Sequence, residues 1–446
     1  MIRLVPVVTL AALVACGDNT PGARGLASGS RLKLAWYEYS DGTRQLEPGW
    51  YFDHERGERC TPLRWSDGSR YCTPAADDAV YIDSTCATAR GRVPAGTAPA
   101  PYFVRYYHAR GTPLPSRLTT VGSPAPAPPL RWQLHDGVCL GPYPVEDGFD
   151  YYEVGETLTS DAFVRVRRTQ PQGADRLAVE LDTSDDGLSV VAAIYDRDTR
   201  EECIVTALAG ASAVECVTGE VAVAGHYHDA QCSELEILTT SPEPPAVARH
   251  DAEETGCSSY YAVGEPTTAP PLYEWVNDLC QTVFVSGNPQ LYLAGDPVAL
   301  PTLDREYEMT QRRLARITRV HGAVRADDPM LYDAGLMTDC ERRDDGSEIR
   351  CVPATAARVV TVFADQSCAT AVEVALVPSG ECDPPSRFAS KDAAIYPVLA
   401  VSAPVYELTT SEQCRAYTPP VRMVIHAIGD PLPPSAFVSA KLEIDP

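Results

Sequence analysis

Lysine is almost absent from this chain. Three lysines stand beside thirty-four arginines in 446 residues, and with abundant alanine and proline that bias reads as a GC-rich genome rather than a functional device. Positive charge is scarce altogether: the formal net charge is −24 and the pI about 4.7, which makes nucleic acid and anionic lipid poor partners. GxSxG and HExxH are missing, as are a P-loop and a GxGxxG after a strand, so no motif points to a reaction or a cofactor. CxxC is missing too, which sets aside thiol-bound metal and thioredoxin-type chemistry despite fifteen cysteines. After residue 16 no second long apolar run occurs, so no helical membrane span is expected in the body. Helical periodicity is also wanting. Only Thr310 to Val320 could be read as a helix, and the β-branched Ile317, Thr318 and Val320 weigh against it.

What is present begins with the first sixteen residues. Met1-Ile2-Arg3 supplies positive charge, Leu4 to Leu13 a short apolar run, and Leu13-Val14-Ala15-Cys16 the form of a lipobox. The run is too short to span a bilayer, so residues 1–15 read as a lipoprotein signal peptide, Cys16 as the lipidated residue and 16–30 as its polar tether. An ordinary secretory signal with an incidental cysteine is the alternative. Lipid at Cys16 makes the membrane an expected partner, each buried CH₂ contributing about 0.8 kcal/mol. Gly17, not aspartate, follows it, which by analogy with enteric sorting points to the outer membrane. Setting Cys16 aside leaves fourteen cysteines, an even number that can all pair in an oxidising compartment.

The body repeats itself three times. Arg-Leu opens each unit, at Arg31-Leu32, Arg176-Leu177 and Arg313-Leu314. Roughly twenty residues on comes an aromatic–aspartate step and then a cysteine: Phe52-Asp53 to Cys60, Tyr195-Asp196 to Cys203, Tyr332-Asp333 to Cys340. A second cysteine follows at Cys72, Cys216 and Cys351, and then Asp-x-x-Cys at Asp83 to Cys86, Asp229 to Cys232 and Asp365 to Cys368. A last cysteine closes each set at Cys139, Cys280 and Cys414. The expected units are 31–172, 173–312 and 313–446.

Period-2 alternation, as in Arg31 to Tyr39 and Val359 to Phe363, and Asp-Gly pairs at Asp41, Asp67, Asp186 and Asp345 predict an all-β body of hairpins. About eight strands per unit match two four-stranded blades, so three units predict a six-bladed β-propeller-like body. Three tandem β-sandwich domains are the alternative. Abrupt joints between units favour the closed body.

The first unit's four cysteines suggest Cys60–Cys72 and Cys86–Cys139, and the repeat transfers that scheme to Cys203–Cys216, Cys232–Cys280, Cys340–Cys351 and Cys368–Cys414. Cys257 and Cys382 are left to bridge the second and third units, and other connectivities stay open. A two-residue turn at Asp345-Gly346 would set Cys340 directly opposite Cys351, a register that Asp67-Gly68 does not give Cys60 and Cys72. Asp182-Thr183-Ser184-Asp185-Asp186-Gly187 is like the first half of a calcium loop, but Ala193 at the twelfth position removes the bidentate ligand. His226 and His228 share a strand face, as a metal pair would, without an evident third ligand. Asp53, Asp196 and Asp333 could be acids around an axis, yet a residue present in every repeat more simply serves the repeat. Tyr106-Tyr107, Tyr151-Tyr152 and Tyr260-Tyr261 suit sugar stacking or plain strand packing. No catalytic, cofactor or metal residue is assigned.

The lipobox, the aromatic-Asp step before cysteine and the Asp-x-x-Cys turn resemble the cysteine-rich lipoproteins of unknown function common in myxobacteria. The resemblance covers nearly the whole mature chain and implies a structural cysteine frame but no reaction. The second unit departs from it by lacking Asp-Gly between Cys203 and Cys216. Three functions follow as expectations. The first is a binding or adhesion scaffold for an envelope or extracellular ligand. The others are an envelope hydrolase acting on glycans or peptides and a structural component of an envelope complex. The balance is against an enzyme. A deep acid-lined pocket would reverse it, and a flat aromatic face would strengthen the binding reading.

Overall fold

A computed structural model describes residues 26–446 apart from 110–111, 170–174, 206–211, 219–221, 240–244, 252–256, 268–270, 277–278, 284–289, 345, 347, 381, 383–385, 403, 410–412 and 421. Among the described residues the regular structure is β-strand, with two single 3-10 turns at Ser160–Ala162 and Pro434–Ala436. The stretch with helical potential forms the strand Leu314–His321, whose Leu314, Ala315, Ile317 and Arg319 are buried. Alternation governs its neighbour Val324–Asp333 too, where Val324, Ala326, Asp328 and Met330 face inward.

Each unit contributes five successive antiparallel strand positions to one shared sheet. In the second unit these are Leu177–Ser184, Ser189–Asp196, Glu201–Val205, Ala213–Thr218 and Thr302–Glu308. The fifth strand of each unit pairs with the first strand of the next: Arg165–Thr169 with Leu177–Ser184, and Thr302–Glu308 with Leu314–His321. Val438–Ile444 then pairs with Ala35–Tyr39, Ala35 facing Ile444, and the circuit of pairings closes on itself. Between its fourth and fifth strands each unit leaves the circuit to build a seven-stranded sheet of its own.

Five strands of each such sheet close into a small mixed barrel. In the third unit they are Ala357–Phe363, Ala371–Pro378, Phe388–Lys391, Ala394–Val401 and Met423–Ile428, with the first and third strands parallel. The same pairings recur in the first and second units, and each barrel carries an extra hairpin on its first strand. A five-strand ring has a narrow interior. Ala222 faces Ala248 and Ala357 faces Ala389 across the parallel pair, while in the first barrel the Phe103 ring fills the space beside Gly91. A Cβ on Gly91 would lie 2.2 Å from that ring.

The all-β expectation holds, but the six-bladed propeller does not. Among the described residues the strands pair into one circuit and three barrels and not into separate four-stranded blades, which is nearer to repeated barrel domains than to a propeller, although the circuit is common property of the units. Strand length and alternation look the same in a blade and in a barrel, so they do not reveal partners that lie far off in sequence.

Seven disulfides staple this frame. Cys60–Cys72, Cys203–Cys216 and Cys340–Cys351 cross the third and fourth circuit strands. Cys86–Cys139, Cys232–Cys280 and Cys368–Cys414 tie each barrel's first turn to its extra hairpin, and Cys257–Cys382 joins the second barrel to the third. Cys340 is not directly opposite Cys351. It faces Pro353, and Cys351 faces Arg342, because the hairpin ends at the pair Asp344 and Ile349, leaving a longer turn than two residues. The first hairpin has the same diagonal offset, Cys60 facing Pro74 and Pro62 facing Cys72. Loop length therefore differs between units while the disulfide register does not.

Candidate functional site

Two landmarks of the repeat are halves of one ion pair. Asp53, Asp196 and Asp333 are essentially fully buried, and each is gripped through two nitrogens by the arginine that opens its unit. In the third unit Arg313 Nε and Nη2 each donate at 2.8 Å. The same carboxylates accept backbone N–H groups of the following turn, for example from Gly335 and Leu336. These aspartates hold the repeat together and do not meet around an axis as a catalytic set. The Asp-Gly turns couple units as well. Asp41 accepts the Leu314 N–H at 2.7 Å, and Asp186 accepts those of Arg31 and Leu32 at 2.8 and 2.7 Å.

Inside the circuit lies a cavity of about 500 Å³ with walls from all three units. On one side Asp182 is the hub. It accepts Arg168 Nε at 2.8 Å and the Tyr51 hydroxyl at 3.1 Å, with Arg70 at 3.6 Å. Arg168 reaches on to Glu180 and Glu202. Burial, reinforced by Asp182, raises the Tyr51 phenol far above its ordinary value, so it stays a proton donor. Arg319 and Asp328 also line the cavity; behind them Arg305 faces Arg319 across adjacent strands, and both arginines share Asp328, each Nε at 3.1 Å from its Oδ2. Asp339 takes Arg305 Nη1 at 2.8 Å. Like charges opposite one another repel, so the pair stands only because two buried carboxylates neutralise it.

The other sequence candidates fall elsewhere. Cys16 and the signal segment lie outside the described residues. The calcium-like segment is spent on other work: Asp182 on Arg168, Asp185 on Arg167, Asp186 on the N-terminal strand, while Ala193 sits in a strand opposite Glu180. His226 Nδ1 lies 2.7 Å from Glu274 and His228 Nδ1 3.5 Å from the fully buried Glu236. Among the described residues no group of three or more His, Cys, Asp or Glu could hold a metal ion. The paired tyrosines pack within barrel strands. Tyr151 and Tyr260 are buried, and burial pushes the Tyr260 phenol up to about 12. Tyr152 sits 6.0 Å from Phe103 between ring centroids.

Arg168, Arg319 and Asp328 carry no motif in the sequence. A usable signal did exist. Five residues after the opening leucine stand Tyr37, Asp182 and Arg319, so a matched strand position changes chemistry from unit to unit.

A family of unknown function (DUF7481) matches residues 8–437, a span that includes the first two units, the third up to its last strand, and every paired cysteine. The chain belongs to that family. No curated protein and no solved structure matches it. The relationship carries no reaction with it; that the chain is cysteine-rich, disulfide-bonded and all-β rests on its own sequence and structure.

Proposed function

We propose that this chain is an exported envelope protein that takes a glycan or peptide into the central cavity and hydrolyses it. The observation behind this reading is the cavity itself, concave, shared by three units and walled by Asp182, Glu202, Glu308 and Asp327 among its carboxylates. Hydrolysis of glycosidic and peptide bonds is work for carboxylates placed around the scissile bond. An adhesion face would be flat and aromatic, whereas none of the Trp, Tyr or Phe side chains whose burial is described is exposed. Seven disulfides support an oxidising compartment. Lipid attachment at Cys16, outer-membrane residence and the myxobacterial kinship belong to the same proposal and rest on the lipobox.

A second reading, a scaffold that binds and does not cleave, draws on one observation. Asp182, Asp327 and Asp328 are each tied to an arginine, an arrangement that suits holding more than proton transfer. Full-length protein incubated with peptidoglycan fragments and with a peptide mixture separates the two by mass spectrometry of products. Cleavage that falls about 100-fold in Asp182→Asn, with the melting transition retained, is the expected result. Binding without products would return the chain to the scaffold reading.

A further inference from the structure

The threefold frame makes departures from threefold chemistry informative. A residue that recurs serves the repeat, whereas one that changes at a matched position is free to serve a ligand. Tyr37, Asp182 and Arg319 occupy such a position, and Asp182 and Arg319 both line the cavity. Arg319 is 8% exposed. Its Nε donates to Asp328, but its Nη2, also buried, has no hydrogen-bond partner. Asp328 is already occupied: Oδ2 also takes Arg305 Nε at 3.1 Å, and Oδ1 takes the Met330 N–H at 2.9 Å. A cationic N–H removed from water without an acceptor is costly, and an acceptor on a ligand would relieve it.

The chemistry of that acceptor can be narrowed. A guanidinium presents a planar fork that suits carboxylates and phosphates, and of these the carboxylate is the group that glycans and peptides carry. The chain as a whole repels anions at a net charge of −24, so anion affinity has to be local. Among the arginines lining the cavity, Arg70, Arg168, Arg316 and Arg325 are each paired with a carboxylate, which leaves the unshared Nη2 of Arg319 as the local anchor. We propose that Arg319 anchors a carboxylate of the molecule bound in the cavity, making the ligand an acidic sugar or a peptide with a free C-terminus. This inference rests on the cavity reading and specifies its substrate class.

Calorimetry on the full-length protein tests it with matched probes: glucuronate against glucose, and trialanine against its C-terminal amide. The carboxylate member of at least one pair is expected to bind ten-fold or more tighter, and the pair that discriminates identifies the source. Arg319→Lys keeps a cation beside Asp328 but loses the fork, and should reduce that preference about ten-fold while neutral probes are unaffected. The wild-type comparison needs no variant, so a misfolded Arg319→Lys does not leave the matter open. Wild-type protein with no carboxylate preference, whether the probes bind equally or not at all, overturns the inference. So does a folded Arg319→Lys that keeps the preference. Neither result touches the cavity reading, which stands or falls on product formation from glycan or peptide.

Discussion

The strand circuit and the three barrels are held by different means. In the circuit, ladder pairing between units and shared apolar clusters are reinforced by carboxylates that cross unit borders. Asp41 of the first unit holds the start of the third, and Asp186 of the second holds the start of the first. Within each unit a buried arginine–aspartate pair is repeated without change. Each barrel instead relies on its own small core and one disulfide from turn to hairpin. The barrels have diverged accordingly on the strand face away from that core. At one matched cross-strand pair the third barrel has Val362 opposite Val372, the first Val80 opposite Arg90, and the second His226 opposite Glu236. Residues that join units are constrained by every unit they touch, while these barrel positions answer only to their own barrel.

Breaking a circuit pair should therefore have the largest effect. Asp333→Ala leaves Arg313 without its buried partner and frees the turn N–H groups of Gly335 and Leu336, which should cost about 3–5 kcal/mol. Because the circuit is shared, thermal melting should move as one transition for the whole chain. A loss confined to the third unit in hydrogen exchange would contradict the shared circuit.

The barrels should respond locally and with less at stake. Replacing His226 and Glu236 together by valine gives the second barrel the apolar pair of the third. The two are opposed in register but paired elsewhere, His226 with Glu274 and the fully buried Glu236 with His228. Replacing a desolvated carboxylate by a packed apolar side chain is neutral or favourable, so a gain of about 1 kcal/mol is expected, read as slower exchange of the second barrel's amides. Faster exchange there would show that Glu236, hydrogen-bonded by Thr267 at 2.6 Å, stabilises the barrel as it stands.

Acid should reveal the smallest difference. Asp83, Asp229 and Asp365 sit at the head of the barrel turns, and side-chain hydrogen bonds from Thr85, Ser233 and Ser367, joined by backbone N–H groups, hold their carboxyls below the ordinary range, Asp229 at about 2. The folded state then binds fewer protons than the unfolded state, whose aspartates titrate near 4. The stabilisation is present above about pH 4 and is lost as pH falls through about 2. These groups are exposed, so the loss is small. Amides of Thr88, Glu234 and Thr370, which donate to these aspartates, should lose protection at pH 2 relative to pH 5 after correction for intrinsic rates. Unchanged protection would mean that the turns hold without the ionised carboxylates.

Much of the local structure was legible in the residues themselves. Alternation such as Val359 to Phe363 announces strands because side chains on a strand point to opposite faces, whatever that strand pairs with. Asp-Gly announces turns because glycine accepts the positive φ found at Gly42 and Gly187. Hairpin register was misjudged at Asp345-Gly346, since a turn dipeptide does not reveal how many flanking residues leave the ladder. The cavity was not legible at all. Arg305, Arg319 and Asp328 meet through neighbouring strands, but Arg168 comes to Asp182 and Tyr51 only when the first unit's last strand lies against the second unit's first. The sequence by itself determined an all-β, cysteine-rich chain with recurring landmarks, because turn geometry and strand alternation are properties of neighbouring residues. The tertiary structure decided that those strands close into three barrels and one circuit that lines a charged cavity, because pairing partners and buried charges are chosen by contacts hundreds of residues apart, such as that of Ala35 with Ile444.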